Sequence, residues 1–162
     1  QNPYVSGNAW FVDKLYYVGN ANEEIAQVGK INLKREAVAD SKFESVLGKA
    51  IMQDGKSMVM LKSYEPNHLT YETTSTNGGV LVFSEIYYPG WTATVDGKPV
   101  ELGRVNYILR ALQVKPGKHE VVLDFHPSSI RTTETIAYVA YALLALLIGL
   151  GVYTEWRKKK QN

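Results

Sequence analysis

Four carboxylates in the second half of the chain, Glu85, Asp96, Glu101 and Asp124, are the residues from which acid–base chemistry on a glycosidic bond could be built. Asp96 precedes Gly97 in a turn signal, and Glu101 and Asp124 fall on solvent-facing strand positions, so Glu85 alone stands among apolar neighbours. His68, His119 and His126 are scattered without ligand spacing, and two of them flank one strand at opposite ends, so no metal site is expected. Ser84 lies in no Gly-x-Ser-x-Gly elbow, no phosphate-binding glycine loop occurs, and no cofactor site is expected.

A different chemistry is concentrated in Phe83, Tyr87, Tyr88, Trp91 and Tyr107, accompanied by Glu85, Asn106 and Arg110. Aromatic faces beside hydrogen-bonding groups suit a concave binding surface, sugars included. The same residues also fit a simpler account, in which the rings fill a core and Arg110 pairs with Glu85. Candidate ligand-binding residues are therefore Glu85, Tyr87, Tyr88, Trp91, Asn106, Tyr107 and Arg110.

These residues lie on a series of short strand-like runs: SMVMLKSY, LTYETTST, GVLVFSEIYY, WTATVD, PVEL, NYILRALQV and HEVVLDF, separated by Pro-Asn, Asn-Gly-Gly, Pro-Gly and Asp-Gly signals. That spacing predicts a mostly β chain, an antiparallel β-sandwich of immunoglobulin-like or jelly-roll-like kind. Trp91, Ala93 and Val95 alternate with polar neighbours, Asp96-Gly97 supplies a tight hairpin turn, and Pro99 beyond it belongs on an edge. Lys115-Pro116-Gly117-Lys118 predicts a second hairpin, followed by His119, Val121, Leu123 and Phe125 pointing inward. Upstream, residues 8–18 read as one strand, and Asn20 or Asn22 can cap a short helix that carries Glu23 and Glu24 and stops at Gly29. The stretch from Arg35 to Phe43 fits a strand or a helix.

From Thr135 to Thr154 twenty residues carry no formal charge, the length of one bilayer crossing at about 1.5 Å per residue. Tyr138, Tyr141, Tyr153 and Trp156 lie toward its ends, where amphipathic rings favour the headgroup region. A buried core helix is the alternative, but a soluble helix carries a polar stripe and this one has none. Ser128 to Thr133 read as a short polar link. The expected division is a domain over 1–133, a transmembrane helix over 134–156 and a basic tail over 157–162.

Arg157, Lys158, Lys159 and Lys160 predict a cytoplasmic C-terminus and an extracytoplasmic domain. A single C-terminal span would not export the domain ahead of it, so upstream spans are expected as partners along with the lipid bilayer; a tail anchor would have the opposite orientation. The first twenty residues lack the pattern of a signal peptide. Without the four basic residues, positions 1–154 carry 14 Lys and Arg against 15 Asp and Glu, a net of −1, which argues against a nucleic-acid partner. The chain has no cysteine, which removes disulfides and thiolate chemistry.

The phrases YEPNHLTYETTS and VFSEIYYPGWTATVDGKPVELGRVNYILRALQVKPGKHEVVLDFHP, followed by a terminal apolar helix, resemble the C-terminal end of YfhO-like bacterial membrane proteins. The likeness is strongest from about Ser63 to Phe125, and NANEEIAQV is also similar. It implies a polytopic glycosyltransferase of GT-C type that takes sugar from a polyprenyl-phosphate carrier on the outer side of the cytoplasmic membrane, some members decorating envelope polymers. That family's acidic catalytic residues lie in early extracytoplasmic loops, so none maps onto this sequence. The resemblance implies that this chain is a non-catalytic accessory domain expected to bind or position an envelope glycan. A purely structural domain packing on membrane spans and a glycoside-cleaving enzyme are the rivals.

Overall fold

The structure is a computed structural model that describes residues 7–160; the first six residues of the expected domain and the last two of the basic tail lie outside it. The chain divides after His126 into two compact units.

The first unit is mostly β. In chain order it comprises β1 (Ala9–Phe11), β2 (Lys14–Val18), α1 (Ala21–Val28), β3 (Glu36–Asp40), α2 (Glu44–Leu47), β4 (Met58–Glu65), β5 (His68–Ser75), β6 (Gly79–Ile86), β7 (Trp91–Val95), β8 (Lys98–Val100), β9 (Gly103–Val105), β10 (Leu109–Val114) and β11 (Gly117–Phe125). Two antiparallel sheets form a sandwich, one in the order β1-β6-β10-β9 and the other β4-β5-β11-β7-β8, while β2 and β3 pair in parallel beside them.

Strand β6 shows how sequence sets the layers. Leu81 and Phe83 enter the core between the two sheets with Phe11, Tyr71, Leu112, Val121 and Leu123, whereas Val80 and Val82 enter a second core with Val12, Ala37, Ala39, Leu47 and Val105. A strand covered on both faces reads as an unbroken apolar run, which is the character of GVLVF. The sandwich thus carries an additional layer, built from β2, β3 and α2, on the outer face of its four-stranded sheet.

Several local expectations hold. Asn20 caps α1 by accepting the Glu23 N–H at 3.0 Å, Glu23 accepts the Gly19 N–H in return, and Gly29 ends the helix. Asp96 and Gly97 adopt φ of 52° and 72° and join β7 to β8, with Pro99 on the edge strand. The stretch from Arg35 to Phe43 resolves into β3 followed by a single 3-10 turn whose start Asp40 caps.

Other expectations are corrected. Residues 8–18 are two strands, because Val12 bonds to β6 while Asp13 turns away to bond with Arg35 and Gln53. Lys115 to Lys118 do not close a hairpin. Strand β10 pairs with β6 and β9, β11 pairs with β5 and β7, and the chain passes from one sheet to the other. Alternation gives each strand's inward face but not its partner, so both topologies satisfy the same pattern. NYILRALQV starts its strand only at Leu109, since Asn106 and Tyr107 take φ of 50° and 71° in a turn after β9.

The second unit is α3 (Ser128–Lys159), so the expected link from Ser128 to Thr133 is helical. Within it Thr133–Lys158 is long and apolar enough to cross a membrane. At about 1.5 Å per residue it exceeds the ~30 Å of a hydrocarbon core. Its apolar side chains, among them Ile136, Leu143, Leu147 and Val152, are exposed around the whole helix rather than along one stripe.

Candidate functional site

Arg110 is the organising residue of the aromatic region. Leu112 and Val114 point into the core between the sheets, and the same alternation directs Arg110 inward at the end of that core, where the register of β10 with β6 slips. Its side chain is 2% exposed, its guanidinium lies 4.0 Å from the Trp91 ring centroid, and Nη2 donates to Glu85 Oε2 at 3.4 Å. Burial lowers the guanidinium pKa, and the Glu85 carboxylate opposes that shift. Arg110 Nε and Nη1 and the Tyr71 hydroxyl have no hydrogen-bond partner among the described residues. Burial, with the nearby Glu85 charge, pushes the Tyr71 phenol up to about 12.

The other rings extend outward from this centre. Trp91 packs on Phe125 at 5.1 Å between centroids, and Tyr88 approaches Phe125 at 6.3 Å. Tyr87 packs against the core between the sheets and meets Phe43 edge-on at 5.7 Å. Tyr87, Tyr88, Gly90, Trp91, Pro99 and Glu101 line a cleft of about 380 Å³. Its mixture of aromatic faces and a carboxylate is chemically suited to a polar ring-shaped ligand.

Asn106 and Tyr107 belong to a separate cluster. Asn106 Oδ1 accepts the Val38 N–H at 3.0 Å and its own N–H reaches Val38 O at 2.7 Å, tying the turn to β3. The fully buried Glu24 accepts the Tyr107 N–H at 2.8 Å and an Arg104 N–H at 2.7 Å, while Arg104 lies 5.4 Å from the Tyr107 ring centroid. Two non-glycine residues at positive φ cost energy, and these bonds hold them there. Sequence reasoning placed Glu24 in the first turn of a helix for its dipole and missed this role. The reversed polarity of α1, with Glu24 buried and Ile25 exposed, is invisible before the fold is known.

The remaining candidates are accounted for individually. Asp96 accepts the Glu120 N–H and pairs with His119 at 2.6 Å, which lowers the Asp96 pKa and raises that of His119. Asp124 pairs with His68 at 2.6 Å, raising the His68 pKa, and His68 Nε2 contacts Thr70 Oγ1 at 3.1 Å. That hydroxyl–imidazole–carboxylate order imitates a nucleophile relay. It lies on the outward-facing positions of β5 and β11, opposite Leu69, Tyr71 and Leu123 in the core, and is explained as a cross-strand pair. A larger groove of about 650 Å³ lies along β1 and the start of β4, lined by Trp10, Asp13, Arg35, Gln53 and Ser57. Its Gln53 is already engaged with Ser57, Ser75 and Gly78 O.

A two-sheet sandwich followed by one helix able to span a bilayer defines a membrane-associated β domain. The family model described as bacterial membrane protein YfhO matches residues 24–137, and the chain belongs to that family. No curated protein and no solved structure matches the chain.

Proposed function

We propose that the chain is a non-catalytic accessory domain of a polytopic glycosyltransferase of the bacterial envelope, and that it binds or positions a glycan acceptor. In this reading residues 1–133 lie outside the cytoplasm, 134–156 cross the membrane and 157–162 remain inside. Membership of the YfhO family supports the membrane setting, and the basic residues Arg157 to Lys160 support the orientation. The observation that carries the binding role is the cleft where Tyr88 and Trp91 stand beside Glu101, with Arg110 holding the indole in place.

The test is a fluorescence titration of the full chain in nanodiscs with soluble envelope oligosaccharides. Saturable quenching that disappears in Tyr88→Ala supports the reading; no response at millimolar sugar from a folded protein removes it. The latter result would favour a structural domain, an account supported by the packing of Tyr87 on Phe43 and of Arg110 on Trp91 and Glu85.

A further inference from the structure

The register of the two sheets sorts the exposed side chains of the sandwich by end. Phe125, where the chain leaves β11, pairs with Trp91, and its N–H bonds to Asn67 O in the β4–β5 turn. His126 bonds to Gly90 O, Tyr87 bonds to Ile108 O, and Leu109 pairs with Ile86. The β4–β5 turn, the β6–β7 connection and the β9–β10 turn therefore share the end from which the chain departs.

That end carries Tyr64 at 61%, Ile86 at 62%, Tyr88 at 61%, Ile108 at 49% and Tyr107 at 39% exposure. Among the described residues of the sandwich, every exposed tyrosine among the large hydrophobics is found there. Exposed apolar groups at the opposite end and over the first half of β4, such as Met58 and Met60, include no ring. Tyrosine with isoleucine is the composition of a surface seated at the boundary between headgroups and acyl chains. The Tyr107 and Ile108 tip is also held rigidly, by buried Glu24 beneath the Tyr107 N–H and by Asn106 on Val38. A tip fixed at positive φ presents these side chains without an ordering cost on contact.

Chain length identifies the occupant. Only seven residues separate Phe125 from Thr133, where the apolar span starts. Fully extended, the eight steps from Phe125 to Thr133 reach at most about 26 Å, which keeps this end within that distance of any membrane the span crosses. We infer that the Tyr64, Ile86, Tyr88, Tyr107 and Ile108 end of the sandwich docks into the lipid interface of the same membrane. This contact shares Tyr88 with the proposed glycan cleft, but it needs no sugar to be observed and is tested at residues outside that cleft.

The absence of native cysteine makes the test direct. Single nitroxide labels are placed at Ile86→Cys, Ile108→Cys and, as an equally exposed apolar control at the other end, Met58→Cys, in the full chain in nanodiscs without sugar. Near-UV circular dichroism confirms that each variant is folded, and two tip positions protect against failure of one. Docking predicts that oxygen relaxes the labels at 86 and 108 more than a water-soluble nickel chelate does, with the reverse at 58. The inference is overturned if the tip labels match the control. It is equally overturned if they are shielded from both reagents, which would report a protein contact such as a second copy.

Discussion

Replacing Glu24 by alanine should be among the most damaging single changes in the sandwich, although the residue lies in a helix of eight residues that lines no part of the aromatic cleft. Its carboxylate is fully buried and serves two donors, the Tyr107 N–H at 2.8 Å and Arg104 at 2.7 Å. Breaking a buried ion pair by removing one member costs about 3–5 kcal/mol, because the other charge is left uncompensated. The Arg104 side chain keeps 22% exposure and can regain some hydration, which places the expected loss near the lower bound, about 3 kcal/mol. Glu24→Gln retains an acceptor for the Tyr107 N–H and should lose about half as much. Urea unfolding of the detergent-solubilised chain, followed by tryptophan fluorescence, reads this directly. With a slope of about 1.5–2 kcal/mol per molar, Glu24→Ala lowers the midpoint by roughly 1.5–2 M. A loss below about 0.5 kcal/mol, the scale of an exposed ion pair, would refute the claim that Glu24 locks the β9–β10 turn.

Gly78→Ala should destabilise by about 2 kcal/mol or more in the same assay, because an added Cβ would stand 2.6 Å from Val114 O at a residue whose φ is +67°. The His68–Asp124 and His119–Asp96 pairs raise both histidine pKa values above their ordinary 6.5. Their stabilisation is complete below about pH 6.5 and is lost as pH rises through the folded values. The lowered carboxylates Asp13, Asp40 and Asp96 act oppositely, contributing above their ordinary 3.8 and losing that contribution in stronger acid. The urea midpoint should therefore peak in weakly acidic buffer and decline as pH rises above about 6.5 through the folded histidine values, and His119→Asn should flatten that decline; an unchanged slope would exclude the pair as its source. In the helix, Leu147→Arg should shift membrane insertion by about 3 kcal/mol, read as lost integration into microsomes, since Leu147 is exposed near the middle of the apolar span.

What could be read from the sequence was local. The Asn20 cap, the Asp96-Gly97 turn, the alternation of β7 and β11 and the uncharged helix each depend on a few adjacent residues, and each appears in the structure. Partner choice was not local. Val121 and Leu123 face inward whether β11 follows β10 into the same sheet or crosses to the other, so the pattern at Lys115–Lys118 could not exclude the false hairpin. The second core was hidden for a related reason, because Val80 and Val82 show only that β6 is covered twice and not what covers it. At the candidate site, the pairing of Arg110 with Glu85 was anticipated from residue types, and Trp91 joins them. Asn106 and Tyr107, close in sequence to Arg110, are drawn to Glu24 and Val38 by contacts spanning more than sixty residues.

The account depends most on the sandwich lying outside the cytoplasm, where an envelope glycan can reach it. The direct measurement places single cysteines at Lys118→Cys in β11 and Lys160→Cys in the basic tail of this cysteine-free chain, within the intact membrane protein freed of any cysteine outside the chain, and probes them with a membrane-impermeant maleimide on whole bacterial cells. The account predicts labelling at 118 in intact cells and at 160 only after permeabilisation. Labelling at 160 in intact cells, with 118 protected until lysis, would contradict it.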